Sequence, residues 1–153
     1  MKVFIENEAE SDQKNLYNEK TLEYRKTVPV ARKYPYPYGF ILDSTSGDGD
    51  NLDCFIITDK ILKTGQIVEC EPIGIMEQLE ITLDKDKGEV VEEDYNVLAV
   101  FPDEKIEIDD MKKEQLREFV SHVFDHLPNK KVRVGNFLDQ NSALQHIKKC
   151  CGW

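Results

Sequence analysis

Long apolar runs are missing from this chain. None approaches the ~20 residues that span a bilayer, and the first residues, Met1-Lys-Val-Phe-Ile-Glu6, lack the extended apolar core of a secretory leader. A cytoplasmic protein with no membrane partner is the expectation. Basic charge is also scarce. With 30 Asp and Glu against 20 Lys and Arg the net charge is −10, which argues against nucleic acid as a partner because a basic face supplies most of that affinity. A small polyanionic substrate stays open, since bound metal ions invert the local field. Cysteine is sparse, with four in all. Cys54 and Cys70 sit in strand-like apolar runs and read as small buried hydrophobes, whereas the adjacent Cys150 and Cys151 have no partner pair at metal-ligand spacing and read as a plain helix end. His122 and His126 stand at i and i+4, but no third ligand accompanies them, so a surface or packing role is expected. Internal repeats and low-complexity segments are absent.

What remains is ordinary for one globular domain covering residues 1–153, with 40% apolar and 33% charged residues. Strand-like runs occur at 3–5, 40–42, 54–58, 66–76 (broken at Pro72) and 96–101, with weaker signals at 16–17 and 22–24. Ile81-Thr-Leu83 and Val90-Val91 flank Asp84-Lys-Asp-Lys-Gly88, a hairpin signal with Gly at the tight position. From Asp110 the period changes. Met111, Leu116, Phe119, Val120, Val123, Phe124 and Leu127 recur at helical spacing until Pro128. A strand at 131–134 and a short helix follow, the helix capped by Asp139 or Asn141 and turning Ala143, Leu144 and Ile147 inward. Many short strands before two amphipathic helices predict a mainly β fold with α, a small barrel with the helices packed at its side.

The most informative stretch is Tyr34-Pro-Tyr-Pro-Tyr-Gly-Phe-Ile41, followed by Asp48-Gly-Asp-Asn-Leu-Asp-Cys54. Pro35 and Pro37 keep the first part extended. The second gathers Asp48, Asp50 and Asp53 between two apolar runs. Close carboxylates repel, and keeping several ionised together requires cations. Hard divalent ions such as Mg²⁺ suit oxygen-only donors and retain waters for a phosphate substrate. Tyr34 and Tyr36 read as packing residues.

These two segments resemble the family I (soluble) inorganic pyrophosphatases, whose signature places three aspartates at D-x-D-x-x-D after a Tyr-Pro-x-x-Tyr-Gly strand. Val3-Phe-Ile-Glu6, Cys70-Glu-Pro-Ile-Gly-Ile75, Val97-Leu-Ala-Val100 and Lys131-Val-Arg-Val134 fall in matching order, so the resemblance covers almost the whole chain. It implies a five-stranded OB-like barrel with two peripheral helices, and Mg²⁺-dependent hydrolysis of pyrophosphate by metal-activated water. It further implies that Asp48, Asp53 and Asp94 ligate metal, that Glu6 holds a further ion through water, and that Asp50 is the general base. Lys14, Arg25 and Tyr38 match the phosphate-binding positions. Bacterial members are commonly hexamers, so a homo-oligomer is expected.

The chain also departs from the family pattern. Asn51 follows the second aspartate where Pro or Glu is usual. Asp94-Tyr95-Asn96 lacks the lysine of Asp-x-Lys, and the second metal-cluster aspartate, five residues earlier, is either replaced by Glu89 as a metal ligand or displaced into the longer Asp84–Gly88 hairpin. The Tyr-Lys pair after the late helix is absent, Leu127-Pro128 standing there, and the glutamate two places after the first lysine falls on Leu16. Each lost cation would remove roughly 10²–10³ in rate. Two alternatives follow: a hydrolase of another phosphoanhydride, and a catalytically impaired relative that binds metal or phosphate.

Overall fold

The alternation of large apolar side chains is realised as strands in the described residues, 1–45 and 49–151 of a computed structural model. Asp48 lies outside them. In chain order the elements are β1 (Lys2–Asn7), β2 (Gln13–Tyr17), β3 (Tyr24–Pro29), β4 (Tyr38–Ile41), β5 (Asp53–Ile56), β6 (Ile67–Glu69), β7 (Glu71–Asp84), β8 (Gly88–Glu93), β9 (Asn96–Val100), α1 (Asp110–His122), β10 (Lys130–Leu138) and α2 (Gln140–Cys151). One sheet runs β10-β7-β9-β5-β4-β1-β6, with β8 also on β7, and β2 and β3 form a separate hairpin. The pairing is antiparallel except between β5 and β9. Mainly β structure with two helices is therefore what the chain adopts. The five strands β7, β9, β5, β4 and β1 form the middle of the sheet. Among the described residues no pairing joins β6 back to β10, so the strand pairing by itself does not show a closed barrel.

Period-two alternation divides the core between the two faces of the sheet. Phe55 and Ile57 with Leu98 and Val100 point toward α1, meeting Leu116, Phe119 and Val120. Cys54, Ile56, Val97 and Ala99 point the other way, with Ile147 of α2. At ~25 cal/mol per Å² of apolar surface, each such side chain contributes about 1.5–3 kcal/mol when fully buried. Asp109 caps α1, its carboxylate accepting from the Lys112 amide at 2.9 Å, and Asp139 caps α2 in the same way through Ser142.

Three residues of the expected apolar stripes are exposed instead: Met111 at 72%, Leu127 at 38% and Leu144 at 41%. Met111 lies in the first turn of α1, and Leu127 lies beyond its end, because the helix stops at His122 rather than running to Pro128. Helical spacing finds a stripe, but tertiary packing decides how much of it is covered.

Candidate active site

The site begins at a bulge. In β1 the pairing with β4 slips between Ile5, opposite Gly39, and Asn7, opposite Tyr38. Glu6 is the extra residue, and a bulge re-aims its side chain. The strands come so close that a Cβ on Gly39 would lie 1.7 Å from the Phe4 carbonyl oxygen. This explains the Tyr-Gly pair physically: the glycine lets β4 lie against β1, and Tyr38 is thereby held next to the Glu6 bulge. The Glu6 carbonyl accepts from Asn15 Nδ2 at 2.9 Å and Thr64 Oγ1 at 3.1 Å, while Asn15 N donates to Asn7 Oδ1 at 2.7 Å. Those bonds dock β2, and with it Lys14, onto β1.

Asp53 opens β5 and pairs with Asn96 at the start of β9, which sets it beside Asp94. Asp94 is itself fixed through its amide to Gln78 O at 3.0 Å and through Gln78 Nε2 at 3.5 Å. Asn96 Nδ2 donates to Gln78 in turn, and Asn96 Oδ1 is buried with no partner. Burial raises the Asp53 carboxyl well above its ordinary range, the Asp94 charge and a shared hydrogen bond raise it further, and Lys14 offsets part of this. Glu6, only 5% exposed, is pushed up to about 8 by burial, then by Glu19, against the pull of Lys14. Tyr38 is raised for the same reasons: burial first, then Asp53 and Asp94.

Glu19 escapes sequence reasoning. It lies in the polar turn between β2 and β3, and its field reaches both Glu6 and Asp53. The latch is Asn51, whose amide donates to Glu19 Oε1 at 3.0 Å and whose Nδ2 donates to Glu19 O at 3.3 Å. Lys20 Nζ ties the same turn to Ser44 O at 3.0 Å and to the Asn51 side chain. Asn51 thus acquires a positive role, since a proline there would have no amide to offer. A glutamate thereby reaches the carboxylate cluster from position 19, whereas the position where the family pattern expects one holds Leu16. The only signal in the sequence was the unexpected Asn51.

The remaining residues divide clearly. Asp50 is exposed and its charge reaches Glu6. Lys14, Tyr34, Tyr38, Gln78, Asp94 and Phe124 line one cavity. Tyr34 packs on Phe119, ring centroids 4.5 Å apart, as well as lining the cavity, while the Tyr36 hydroxyl donates to Gln115 Oε1 at 2.7 Å and does not line that cavity. Arg25 sits on the exposed β3 strand and does not line that cavity. Glu89 is exposed opposite Leu83, five residues up β8 from Asp94. At ~3.3 Å per residue that is about 16 Å away, so the structure does not bring it to the cluster. His122 is engaged at the surface by Asp125 at 2.7 Å and Glu118 at 3.6 Å.

The family model described as inorganic pyrophosphatase matches residues 3–152. The chain belongs to the inorganic pyrophosphatase family. It is 33% identical to the inorganic pyrophosphatase of Nanoarchaeum equitans over 96% of this chain and 92% of that protein. With the inorganic pyrophosphatase of Saccharolobus solfataricus it shares 31% identity over 96% and 87%. The solved inorganic pyrophosphatase of Coxiella burnetii superimposes with a TM-score of 0.83 at 25% identity, covering 99% of this chain and 93% of that one.

Pyrophosphatases of this family are metal-dependent, and the donor chemistry here fits a hard divalent ion: the cluster offers carboxylate oxygens and no sulfur. Among the described residues no three acidic, histidine or cysteine side chains already stand at ion-holding distance. The mutual repulsion of Asp53, Asp94, Glu6 and Glu19 is what a divalent ion would relieve. That has a measurable consequence. A carboxyl whose folded pKa is raised binds its proton more tightly when folded, so its stabilising effect is full below the unfolded value and is lost as pH rises to the folded one. For Glu6 the window runs from 4.5 to about 8. In chelator, the melting temperature is expected to fall across this window, by a few kcal/mol in stability terms, and Mg²⁺ at pH 8 should restore it. Melting curves with and without Mg²⁺ at pH 5 and pH 8 check this; a metal-free protein equally stable at both would contradict the charge cluster.

Proposed function

We propose that this pyrophosphatase hydrolyses inorganic pyrophosphate to two phosphates with Mg²⁺, acting as one domain. The observation that carries the reading is the Asp53 carboxyl, raised by burial and by Asp94 beside it, with Lys14 offsetting the charge on both Asp53 and Glu6. Asp48, Asp53 and Asp94 would hold Mg²⁺, with Glu6 and Glu19 behind them. Bound there, the ion supplies Lewis acidity toward a water and toward the phosphoryl oxygens. Asp50 is the general base: exposed at the loop tip, it takes the proton of the attacking water as the new P–O bond forms and the bridging P–O bond breaks. Lys14 and Tyr38 orient the phosphoryl groups, with Arg25 reaching from the neighbouring strand. Preorganised cations of this kind are usually the largest catalytic contribution.

A phosphate-release assay with Mg²⁺ tests the proposal. Turnover is expected with pyrophosphate and, lower by orders of magnitude, with nucleotide and sugar diphosphates. Asp50→Asn should lower kcat by about 10². No turnover at micromolar enzyme, or full activity in Asp50→Asn, would overturn the assignment. The same reading extends to a cytoplasmic homo-oligomer without a nucleic-acid partner, in keeping with the net charge of −10. No helix of the described residues is long and apolar enough to cross a membrane.

A further inference from the structure

We propose that Lys130 is a further phosphate-binding cation of this site, exchanged from Glu80 to the substrate. The inference rests on the pyrophosphatase reading above. Lys14 is the only basic side chain among the described residues that lines the cavity beside Asp94. Pyrophosphate carries several negative charges, and Lys14, even with Arg25 reaching in from β3, leaves most of them to the metal.

Lys130 approaches the same cavity from β10. Val132 and Val134, two and four residues on, pack into the core facing α1 together with Phe124, and period-two alternation puts Lys130 on that inner face. Its Nζ stands 4.3 Å from the centroid of the Phe124 ring, and Lys14 Nζ stands 5.5 Å from the same centroid. The two ammonium groups can be no farther apart than those distances laid end to end. Lys130 is also ion-paired to Glu80, which lines the cavity with Lys14 and Asp94. The side chains of Lys130 and Glu80 are 29% and 21% exposed: open enough for exchange with a ligand, covered enough to hold their place.

A lysine whose partner is a carboxylate in the cavity wall can trade that carboxylate for a phosphoryl oxygen, making a charge-assisted bond of the same kind. The aromatic face beneath it keeps the ammonium oriented in both states. Lys14 and Lys130 would then grip the substrate from two strands, β2 and β10, that both bring an ammonium group to the Phe124 ring.

Two measurements separate this role from a plain structural ion pair. Lys130→Met is expected to lower kcat/KM for pyrophosphate by about 10² and to weaken calorimetric binding of methylenediphosphonate, a non-hydrolysable analogue, by about tenfold. Lys130→Arg should recover most of both. Glu80→Gln removes the competing carboxylate and is expected to tighten the analogue. Should Lys130→Met fail to fold, Lys130→Gln carries the same comparison. Analogue binding weakened equally by the Lys130 and Glu80 variants, or unchanged in Lys130→Met with wild-type activity intact, would overturn the role of Lys130. An inactive wild-type protein would instead overturn the pyrophosphatase reading.

Discussion

Asp53→Asn is expected to reduce kcat/KM for pyrophosphate by at least about 10³ while leaving the metal-free protein as stable as the wild type, or more so. The two halves of this result come from one cause. Without metal, Asp53 is a half-buried carboxylate beside Asp94, and its raised pKa means that ionising it opposes folding at neutral pH. Asparagine keeps the shape and the capacity to hydrogen-bond Asp94 but carries no charge, so the repulsion disappears. The same change deletes an anionic oxygen that would hold the ion and leaves one fewer charge to position it. Loss of a single well-placed electrostatic contact costs about 10²–10³, and here metal affinity falls as well. The check is a pair of assays on one preparation: phosphate release, and melting temperature in chelator and in Mg²⁺. Activity within tenfold of wild type would remove Asp53 from the site. A fall in metal-free stability would show that the charge cluster is not the strained element described above.

Gly39→Ala is expected to prevent folding, or to destabilise the protein by more than about 4 kcal/mol. The added methyl would sit 1.7 Å from Phe4 O and 2.8 Å from Phe4 C, both backbone atoms of the neighbouring strand. No rotamer change relieves such a contact. β1 and β4 would have to separate, and with them the rest of their pairing, which runs from Val3–Ile41 to Asn7–Tyr38. Phe4 and Phe40, stacked at 5.2 Å across the same pair, would lose their contact too. Equilibrium denaturation, or the yield of soluble protein where none survives to be unfolded, measures the effect. A variant melting within a few degrees of wild type would mean that the strands do not approach this closely.

Both predictions concern residues that the sequence displays in plain order. Tyr38-Gly39 and Asp50-Asn-Leu-Asp53 are contiguous, so their chemistry shows in local spacing. Most strand positions and the two helices were likewise readable, because burial on a sheet face or helix stripe imposes a period that a few residues reveal. The exceptions are Pro72, which lies within β7 rather than at a break, and the exposed β3, which runs from Tyr24 to Pro29 rather than over 22–24. Met111 and Leu144 mark the boundary of that logic. Each satisfies the period, yet neither is covered, since coverage depends on what packs against that face of the helix.

Glu19 and Lys130 lie beyond it altogether. Neither belongs to a motif, and each reaches the site through a contact between distant segments: Glu19 through the Asn51 amide, 32 residues away, and Lys130 through Glu80 across the β7–β10 pairing. Glu89 shows the converse, a plausible carboxylate that the length of β8 carries away from the cluster. The sequence by itself determined the family, the mainly β architecture and the acidic core of the site, because these depend on local periods and contiguous motifs. Which further charges face that core was decided by tertiary structure alone. Bulges, strand register and side-chain latches set distances between residues far apart in the chain, and linear spacing carries no record of them.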